Sequence, residues 1–182
     1  MSDGRTSDSD PLRIDELPCG DGLLGLTQCP GKHAPSSFGG PHWARNMDAD
    51  MAAITRWGAG HVVTLMEQFE LEMLGVAALS ETVRQAGMRW HHLPIVDGEA
   101  PDQRFEQGWQ ITGPQLHNAL GARGRILIHC RGGLGRTGTV AARLLMEHGL
   151  PAREAILAVR RARPGSIENP WQETYLARVA GG

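Results

Sequence analysis

The sequence has no long apolar run. No stretch of about 18 apolar residues occurs anywhere among its 182 residues, so we expect no membrane-spanning segment. The first ten residues, MSDGRTSDSD, are polar and acidic and lack the apolar centre of a secretory signal peptide. We therefore expect neither a signal peptide nor a membrane partner.

Cysteine and lysine are also scarce. The three cysteines, Cys19, Cys29 and Cys130, match no zinc-binding spacing, so we expect no metal and a reducing, cytoplasmic location. Lys32 is the only lysine, and the formal net charge is −2 with 21% charged residues. This balance does not indicate a nucleic-acid partner, and any attraction for an anion must come from a local site.

The hydrophobic patterning predicts an α/β fold. Hydrophobic residues make up 41% of the chain, enough for one packed core. Apolar runs typical of buried strands lie at 22–27, 61–66 and 125–130, and segments with helical patterning separate them. This alternation is typical of a central, mainly parallel sheet flanked by helices.

The segment boundaries give a simple domain organisation. We expect a flexible tail over residues 1–11, followed by a single domain over 12–182. A helix is predicted around 71–86, where Gly87 would end it. Residues 30–46 are rich in Gly, Pro, Ser and His and are predicted to form a loop near the rim of the site described next.

The segment HCRGGLGRTG, residues 129–138, joins a buried strand to a helix. Its glycines let the backbone curl so that several N–H groups converge on one anion, and a helix N-terminus adds a positive dipole end. The lysine of a nucleotide-binding Walker A loop is absent. The residues predicted to hold a phosphate are Arg131, Gly132, Gly133, Leu134, Gly135 and Arg136.

Individual side chains of this segment have distinct predicted roles. Cys130 lies at the base of the loop, where N–H groups stabilise a thiolate that can attack phosphorus. The Arg136 guanidinium can grip two phosphate oxygens, and the Thr137 hydroxyl is placed to bond the sulfur and help it leave. His129 is expected to support the loop backbone. Arg131 either points to solvent or contacts a second anionic group.

The same run matches the His-Cys-x5-Arg-Ser/Thr signature of protein tyrosine and dual-specificity phosphatases. Over roughly residues 12–180 the chain resembles the kinase-associated phosphatase group in three blocks: GLLGLTQCPG, HHLPIVDGEAPD and HCRGGLGRTG. The first resembles that group's opening strand and turn, the second its acid loop, and the third its phosphate loop. The resemblance implies a cysteinyl-phosphate intermediate and neither a metal nor any other cofactor.

Two aspartates in the loop VDGEAPDQ are candidates for the acid that protonates the leaving group. Asp97 follows a strand, matches the acid of the resembled family and precedes Gly98, which gives the loop freedom to close. The Asp97-Gly98 pair also has a simpler interpretation as a turn. Asp102 precedes a helix and is suited to cap it. We predict Asp97 as the acid and keep Asp102 as the alternative.

A loop near the C-terminus, IENPWQ, corresponds to the glutamine-bearing loop that positions the hydrolytic water in the resembled family. Gln172 matches the second glutamine of that loop, and Glu168 stands where the first often lies. Gln172 is equally well interpreted as an ordinary residue in the first turn of a helix after Pro170. Both interpretations of Gln172 stay open.

These motifs favour hydrolysis of phosphomonoesters on protein Tyr, Ser or Thr. The expected partner is a phosphorylated protein or a small phosphorylated substrate, and a monomer is expected. Tyr175 is the only tyrosine, and no aromatic segment is present to line a deep phosphotyrosine slot, which favours a shallower pocket. The alternatives are a phosphoinositide or small-molecule phosphatase, a sulfurtransferase, and a catalytically silent module that binds phosphorylated residues. The separate acid loop argues against the sulfurtransferase.

Overall fold

A five-stranded sheet forms the centre of the computed structural model, which describes residues 4–35 and 42–182. Its strands are β1 (Asp15–Cys19), β2 (Gly22–Thr27), β5 (His61–Thr64), β6 (Arg89–His92) and β7 (Arg125–His129). Their spatial order is β1-β2-β7-β5-β6; β1 is antiparallel to β2 and the other neighbours are parallel. The remaining two strands, β3 (His33–Ala34) and β4 (Trp43–Ala44), pair as a short separate ribbon.

Helices connect the strands and flank the sheet, which confirms the predicted fold class. In the described part of the chain they are α1 (Met47–Trp57), α2 (Gln68–Met73), α3 (Leu79–Gln85), α4 (Gln103–Gly121), α5 (Gly135–Glu147), α6 (Ala152–Ala162) and α7 (Pro170–Ala180). None of these helices is long and apolar enough to cross a membrane.

Helix α5 follows the central strand β7 and is almost entirely buried. Its residues from Gly135 to Leu145 are buried because α5 packs against β2 and β7 and also against α6 and α7. Since β2, β7 and β5 are parallel, their carboxyl ends lie at the same edge of the sheet. The turn from β7 into α5 opens at that edge, where ligands bind in such sheets.

The predicted helix over 71–86 is wrong, because the chain forms two shorter helices there. The break lies at Gly75, whose φ of +72° is a left-handed conformation that ends α2. Leu74 and Val76, on either side of it, are both buried. Helix α2 also begins before the predicted start, which places Glu70 in its first turn.

Strand β1 is not predicted from the sequence, because its pattern is weak. Polar residues alternate with the buried Leu17 and Cys19, and Pro18 interrupts the run. Proline is tolerated at this position because β1 is the edge strand of the sheet. Gly20, with φ of +56°, makes the turn that leads directly into β2.

The flexible tail predicted for residues 1–11 is wrong where the structure describes it. Ser7 is buried, and its hydroxyl donates a 2.8 Å hydrogen bond to Asp50 in α1. Arg5 pairs with β4 through its backbone. A buried carboxylate needs several donors, and this segment supplies one of them. Residues 1–3 lie outside the described part of the chain.

Arg45 and Asp50 form a fully buried ion pair between the ribbon and α1. The Arg45 Nε lies 2.7 Å from Asp50 Oδ2, and the two side chains are 0% and 1% exposed. The Asp50 carboxylate also accepts hydrogen bonds from the Gly31 N–H and from Ser7. This network connects α1 to the segments before and after β3 and β4.

We expect the Asp50→Ala substitution to lower the free energy of unfolding by roughly 3–5 kcal/mol, because it leaves the Arg45 charge buried without its partner. Asp48→Ala removes an exposed carboxylate from the first turn of the same helix and should cost less than about 1 kcal/mol. Urea denaturation followed by circular dichroism measures both values. Equal losses in the two variants would show that the buried pair has no special importance.

Candidate active site

In the turn between β7 and α5, the backbone carbonyl oxygens accept hydrogen bonds from groups on the outer side of the turn. Cys130 and Arg131 are the first two residues of this turn. The His129 imidazole lies with Nδ1 3.3 Å from the Cys130 carbonyl oxygen. The Arg131 carbonyl accepts from the Cys29 N–H at 3.2 Å and from the Lys32 ammonium at 3.1 Å. Both donors on Arg131 come from the segment that follows β2.

The next three carbonyls of the turn accept hydrogen bonds from the segment between α6 and α7. The Arg163 guanidinium donates to the Gly133 oxygen at 2.7 Å and to the Gly132 oxygen at 3.0 Å. The Leu134 oxygen accepts from the Ile167 N–H at 3.2 Å. Because all five carbonyls from residues 130 to 134 have outer partners, the loop's N–H groups are available to an anion on the inner side.

Cys130 lies at the base of this loop, where one N–H group already points at its sulfur. The Gly133 N–H donates to Cys130 Sγ at 3.2 Å, and Cys130 is 3% exposed. Gly133 has a φ of +75°, and a side chain there would bring its Cβ to 2.2 Å from the Thr27 carbonyl oxygen. Only glycine therefore permits this approach of the loop to β2.

Arg136 is held in place by a carboxylate that the sequence motif does not contain. Its guanidinium forms two hydrogen bonds with the Glu70 carboxylate, at 2.7 and 3.0 Å, and a third with the Ile95 carbonyl at 3.0 Å. Burial opposes the charge, but the bonds to Glu70 prevail and raise the pKa of Arg136 above its ordinary value. The guanidinium is thus charged and oriented before any substrate arrives.

The two candidate acids have different surroundings. Asp97 Oδ1 lies 3.1 Å from the Arg136 guanidinium, and the Asp97 side chain is 63% exposed on its loop. Asp102 instead accepts a 3.0 Å hydrogen bond from the Phe105 N–H and caps the N-terminus of α4. The structure therefore brings Asp97 to the phosphate loop and gives Asp102 the capping contact.

His129 belongs to a chain of buried hydrogen bonds that fixes its tautomer. The indole N–H of Trp90 donates to Thr64 Oγ1 at 2.8 Å, so that hydroxyl is free to donate to His129 Nε2 at 2.7 Å. Nδ1 then carries the proton and points it at the Cys130 carbonyl. Burial lowers the pKa of His129 to about 4, so the ring stays neutral at neutral pH.

Thr137 does not make the predicted hydrogen bond to the sulfur. It is completely buried, and its hydroxyl has no hydrogen-bond partner among the described residues. The described hydrogen bond to Cys130 Sγ comes from Gly133. A buried hydroxyl without a partner costs about 1–3 kcal/mol, so this one requires an explanation.

The acid loop and the loop before α7 are connected by hydrogen bonds. Gln172 is buried; its Oε1 accepts from the Glu168 N–H at 2.8 Å and its Nε2 donates to the Glu99 carbonyl at 3.4 Å. Asn169 Nδ2 donates to the Gly98 carbonyl at 2.9 Å. The structure thus gives Gln172 a definite role in joining the two loops.

Gly135 marks where these loops meet the N-terminus of α5. A Cβ atom on Gly135 would lie 2.7 Å from Glu168 Oε2 and 2.9 Å from Gln172 Nε2. Both side chains therefore lie against the first residue of α5. The glycine at this position leaves room for them beside the phosphate loop.

A cleft of about 440 Å³ opens over the phosphate loop. Its lining residues include Asp97, Arg131, Gly132, Glu168, Lys32 and Trp43. The sequence allows Arg131 either to point to solvent or to contact a second anionic group. In the structure it is half-buried and lines this cleft. Of the early loop predicted near the rim, Lys32 and Trp43 reach the cleft, while residues 36–41 lie outside the described part of the chain.

Glu70, Arg163 and Lys32 are the supporting residues that the sequence motifs do not reveal. Glu70 lies just before the start of the helix that the sequence predicts at 71–86, so the sequence gives it no role. Arg163 follows other arginines in a segment that resembles an ordinary charged surface. The sequence singles out Lys32 as the only lysine, but no pattern connects it to the loop. All three make contacts with residues far away in the chain.

The remaining cysteines and the acidic groups offer neither a reactive thiol nor a metal site. Burial raises the pKa of both Cys19 and Cys29 to about 12, which keeps their thiols protonated. Within residues 4–35 and 42–182, no three His, Cys, Asp or Glu side chains come together in a way that could hold a metal ion.

A comparison of the sequence with models of known protein families identifies the class to which this fold and site belong. A family model described as "Swiss Army Knife protein, DSP-PTPase phosphatase domain" matches residues 42–176. Because the match covers most of the chain, the protein belongs to this family of DSP-PTPase phosphatase domains.

Individual relatives agree with this assignment. The chain is 34% identical over 135 residues to cyclin-dependent kinase inhibitor 3 of Rattus norvegicus, covering 72% of this chain and 62% of that protein. It is 38% identical over 89 residues to the dual specificity protein phosphatase CDC14C of Symphalangus syndactylus, covering 48% and 17% of the two chains. The chain thus spans only part of these curated relatives.

A solved structure extends the similarity over nearly the whole chain. Kinase associated phosphatase, crystallised with serine in place of its catalytic site cysteine, superposes with a TM-score of 0.81 at 28% identity. The match covers 94% of this chain and 98% of that one. The fold predicted from the resemblance is therefore confirmed.

We expect Gly133→Ala to lower the free energy of unfolding by about 2 kcal/mol or more, because alanine is strained at positive φ and would collide with the backbone of β2. Gly132→Ala is the matched control: a Cβ there meets nothing within 4 Å, so the loss should stay below about 0.5 kcal/mol. Urea denaturation measures both. A stable Gly133→Ala variant would contradict the close approach of the loop to β2.

Proposed function

We propose that this protein is a cysteine-dependent phosphatase that hydrolyses phosphomonoesters on protein Tyr, Ser and Thr through a cysteinyl-phosphate intermediate. The observation that carries the proposal is the Cys130 sulfur, which lies under a loop whose five outer carbonyls are all held away from it. Such a loop stabilises both a thiolate and a phosphoryl group. The arrangement is suited to phosphoryl transfer to sulfur.

In the first step the Cys130 thiolate attacks phosphorus, an S–P bond forms and the P–O ester bond breaks. Arg136 holds two phosphate oxygens and follows their charge into the transition state. The phosphate displaces the Asp97 carboxylate from the Arg136 guanidinium. Asp97 acts as the general acid and gives a proton to the leaving alkoxide or phenoxide oxygen.

In the second step a water attacks the phosphorus of the cysteinyl phosphate, and Asp97 takes its proton. The S–P bond breaks, inorganic phosphate forms and the sulfur leaves as a thiolate. The Gly133 N–H already points at that sulfur. We propose that Glu168 and Gln172, which lie against Gly135 at the start of α5, position this water.

A phosphorylated protein is the substrate class that fits best. The acid loop exposes Asp97, and the cleft around the phosphate loop is open and lined by Trp43, which suits a phosphorylated side chain still attached to a polypeptide. The relatives include proteins named as dual specificity protein phosphatases. A cytoplasmic location and a monomeric state stay predictions from the sequence.

Replacing Cys130 by serine should abolish turnover of para-nitrophenyl phosphate, because the hydroxyl is not ionised and does not form the covalent intermediate. Initial rates of nitrophenolate release measure this, with the melting temperature as the control for folding. A folded Cys130→Ser variant that retains turnover would contradict covalent catalysis, and an inactive wild-type protein would contradict the proposed function altogether.

Asp97→Ala should lower kcat for an alkyl phosphate ester by about 100-fold or more, as expected for loss of a general acid. Asp102→Ala is the matched control, since it removes a carboxylate from the same loop region. It should lower the free energy of unfolding by about 1 kcal/mol and leave the pH profile of kcat in place. The opposite pattern would make Asp102 the acid.

The substrate class is tested with the Asp97→Ala protein as a trap. We expect this variant to retain phosphorylated proteins, and the wild-type enzyme to hydrolyse phosphopeptides faster than a panel of phosphoinositides. Preferential turnover of the phosphoinositides would favour the alternative of a lipid phosphatase. Retention without any turnover by the wild-type protein would indicate a silent binding module.

A further inference from the structure

Lys32 is a buried cation with an unusual environment. It is 5% exposed, and its Nζ donates to the Arg131 carbonyl at 3.1 Å and lies 4.5 Å from the centroid of the Trp43 ring. The buried guanidiniums of Arg45 and Arg136 each have a carboxylate partner. Among residues 4–35 and 42–182, Lys32 has none.

The contact with Arg131 does not by itself explain why a lysine is buried here. The Arg131 carbonyl also accepts the Cys29 N–H at 3.2 Å, so a backbone donor shares the work of holding it outward. An ammonium group has three N–H donors, and the hydrogen bonds within the described residues use one of them. A buried ammonium with unused donors is costly unless an anion joins it.

The pKa of Lys32 also indicates an ammonium group that lacks a nearby negative charge among the described residues. Burial, helped by the guanidiniums of Arg45 and Arg131, lowers the pKa of Lys32 to about 8. An anion bound beside the ammonium would raise that pKa again and strengthen the interaction.

Lys32 also lies where two clefts meet. It lines the cleft over the phosphate loop, and together with Trp43 and Gly132 it lines a neighbouring cleft of about 570 Å³. The neighbouring cleft adds the guanidiniums of Arg13 and Arg163, which both form ion pairs with Asp15, at 2.7 and 2.8 Å, so these three groups together carry one net positive charge. Because the two clefts share Lys32, Trp43 and Gly132, they form one trough beside the phosphate loop, and its second part has an excess of positive charge.

We propose that the cationic groups of Lys32 and Arg131, beside the Trp43 ring, form a second anion subsite that selects phosphoproteins with an acidic residue beside the phosphorylated one. This inference rests on the proposed function, because it requires the phosphoryl group to be held by the loop at residues 130–136. A polypeptide is favoured over a compact small molecule because the cationic trough continues past Lys32 toward Arg13. An extended acidic segment would follow that trough.

The test uses synthetic phosphothreonine peptides that are identical except for one residue. A single glutamate is moved through the two positions on each side of the phosphothreonine, and the glutamine peptides serve as references. We expect kcat/KM for the best-placed glutamate peptide to exceed that of its glutamine counterpart by about 10-fold, the typical size of one charge-assisted contact. The ratio should fall as salt is added, because screening weakens the attraction.

Substitution of Lys32 then assigns the selectivity. Lys32→Met should reduce the glutamate-to-glutamine ratio toward one, and Lys32→Arg should preserve most of it. Arg56→Met is the matched control for loss of one positive charge: Arg56 is exposed in the last turn of α1, which leads into the amino end of β5 at the opposite edge of the sheet. It should leave the ratio unchanged.

The outcomes separate the subsite from the catalytic proposal. If Lys32 only supported the loop, Lys32→Met would lower both rates together and leave their ratio intact, which would overturn the inference. A ratio near one in the wild-type enzyme at low salt would overturn it without any variant. If the wild-type protein hydrolysed para-nitrophenyl phosphate but none of the peptides, the protein-substrate proposal would fail first, and the inference with it. Faster turnover of inositol bisphosphates than of any acidic peptide would also contradict it.

Discussion

The carbonyl oxygens of residues 130–134 all face outward, and the proposed chemistry depends on this constraint. A peptide loop can present its N–H groups to one anion only if its carbonyls find other partners, since each carbonyl left inside would repel the phosphate. Here the partners are a histidine, a lysine, an arginine and two backbone N–H groups. The glycines allow the loop to curl, but these outer donors decide which way the curl faces.

Arg136 shows a second consequence of the same design. Its guanidinium is held by Glu70 from α2 and by the Ile95 carbonyl, so its orientation does not depend on substrate. Asp97 occupies the remaining side. The contact with Asp97 is the exchangeable one, because Asp97 is largely exposed on a loop while Glu70 is buried in a helix. Arg136 therefore connects the phosphate-binding loop to Asp97, the proposed general acid.

Most of the fold and the centre of the site can be predicted from the sequence, because both are encoded locally. Buried strands such as 22–27 and 125–129 have continuous apolar runs, and the residues from His129 to Gly138 follow one another in the chain. Glu70, Arg163 and Lys32 escape sequence reasoning for the opposite reason. Each is a single charged residue in an unremarkable context, and its role exists only once distant segments meet.

The same distinction explains the errors in secondary structure. The break between α2 and α3 depends on Gly75, whose left-handed conformation turns the chain between two buried neighbours. Glycine is tolerated in many helices, so its presence alone does not predict the break. Strand β1 forms because β2 offers it an edge, although its own pattern is weak. The packing of Ser7 likewise requires the buried Asp50 as its partner.

The outer donors of the phosphate loop come from positions scattered along the chain, with Lys32 lying 99 residues before its acceptor and Arg163 lying 30 residues after Gly133. Contacts between such distant positions form only when the chain has closed all the intervening loops. A partly folded chain therefore has no anion site. Phosphate ions should bind the native state alone, which makes them a chemical sensor of completed folding and a stabiliser of the finished molecule by mass action.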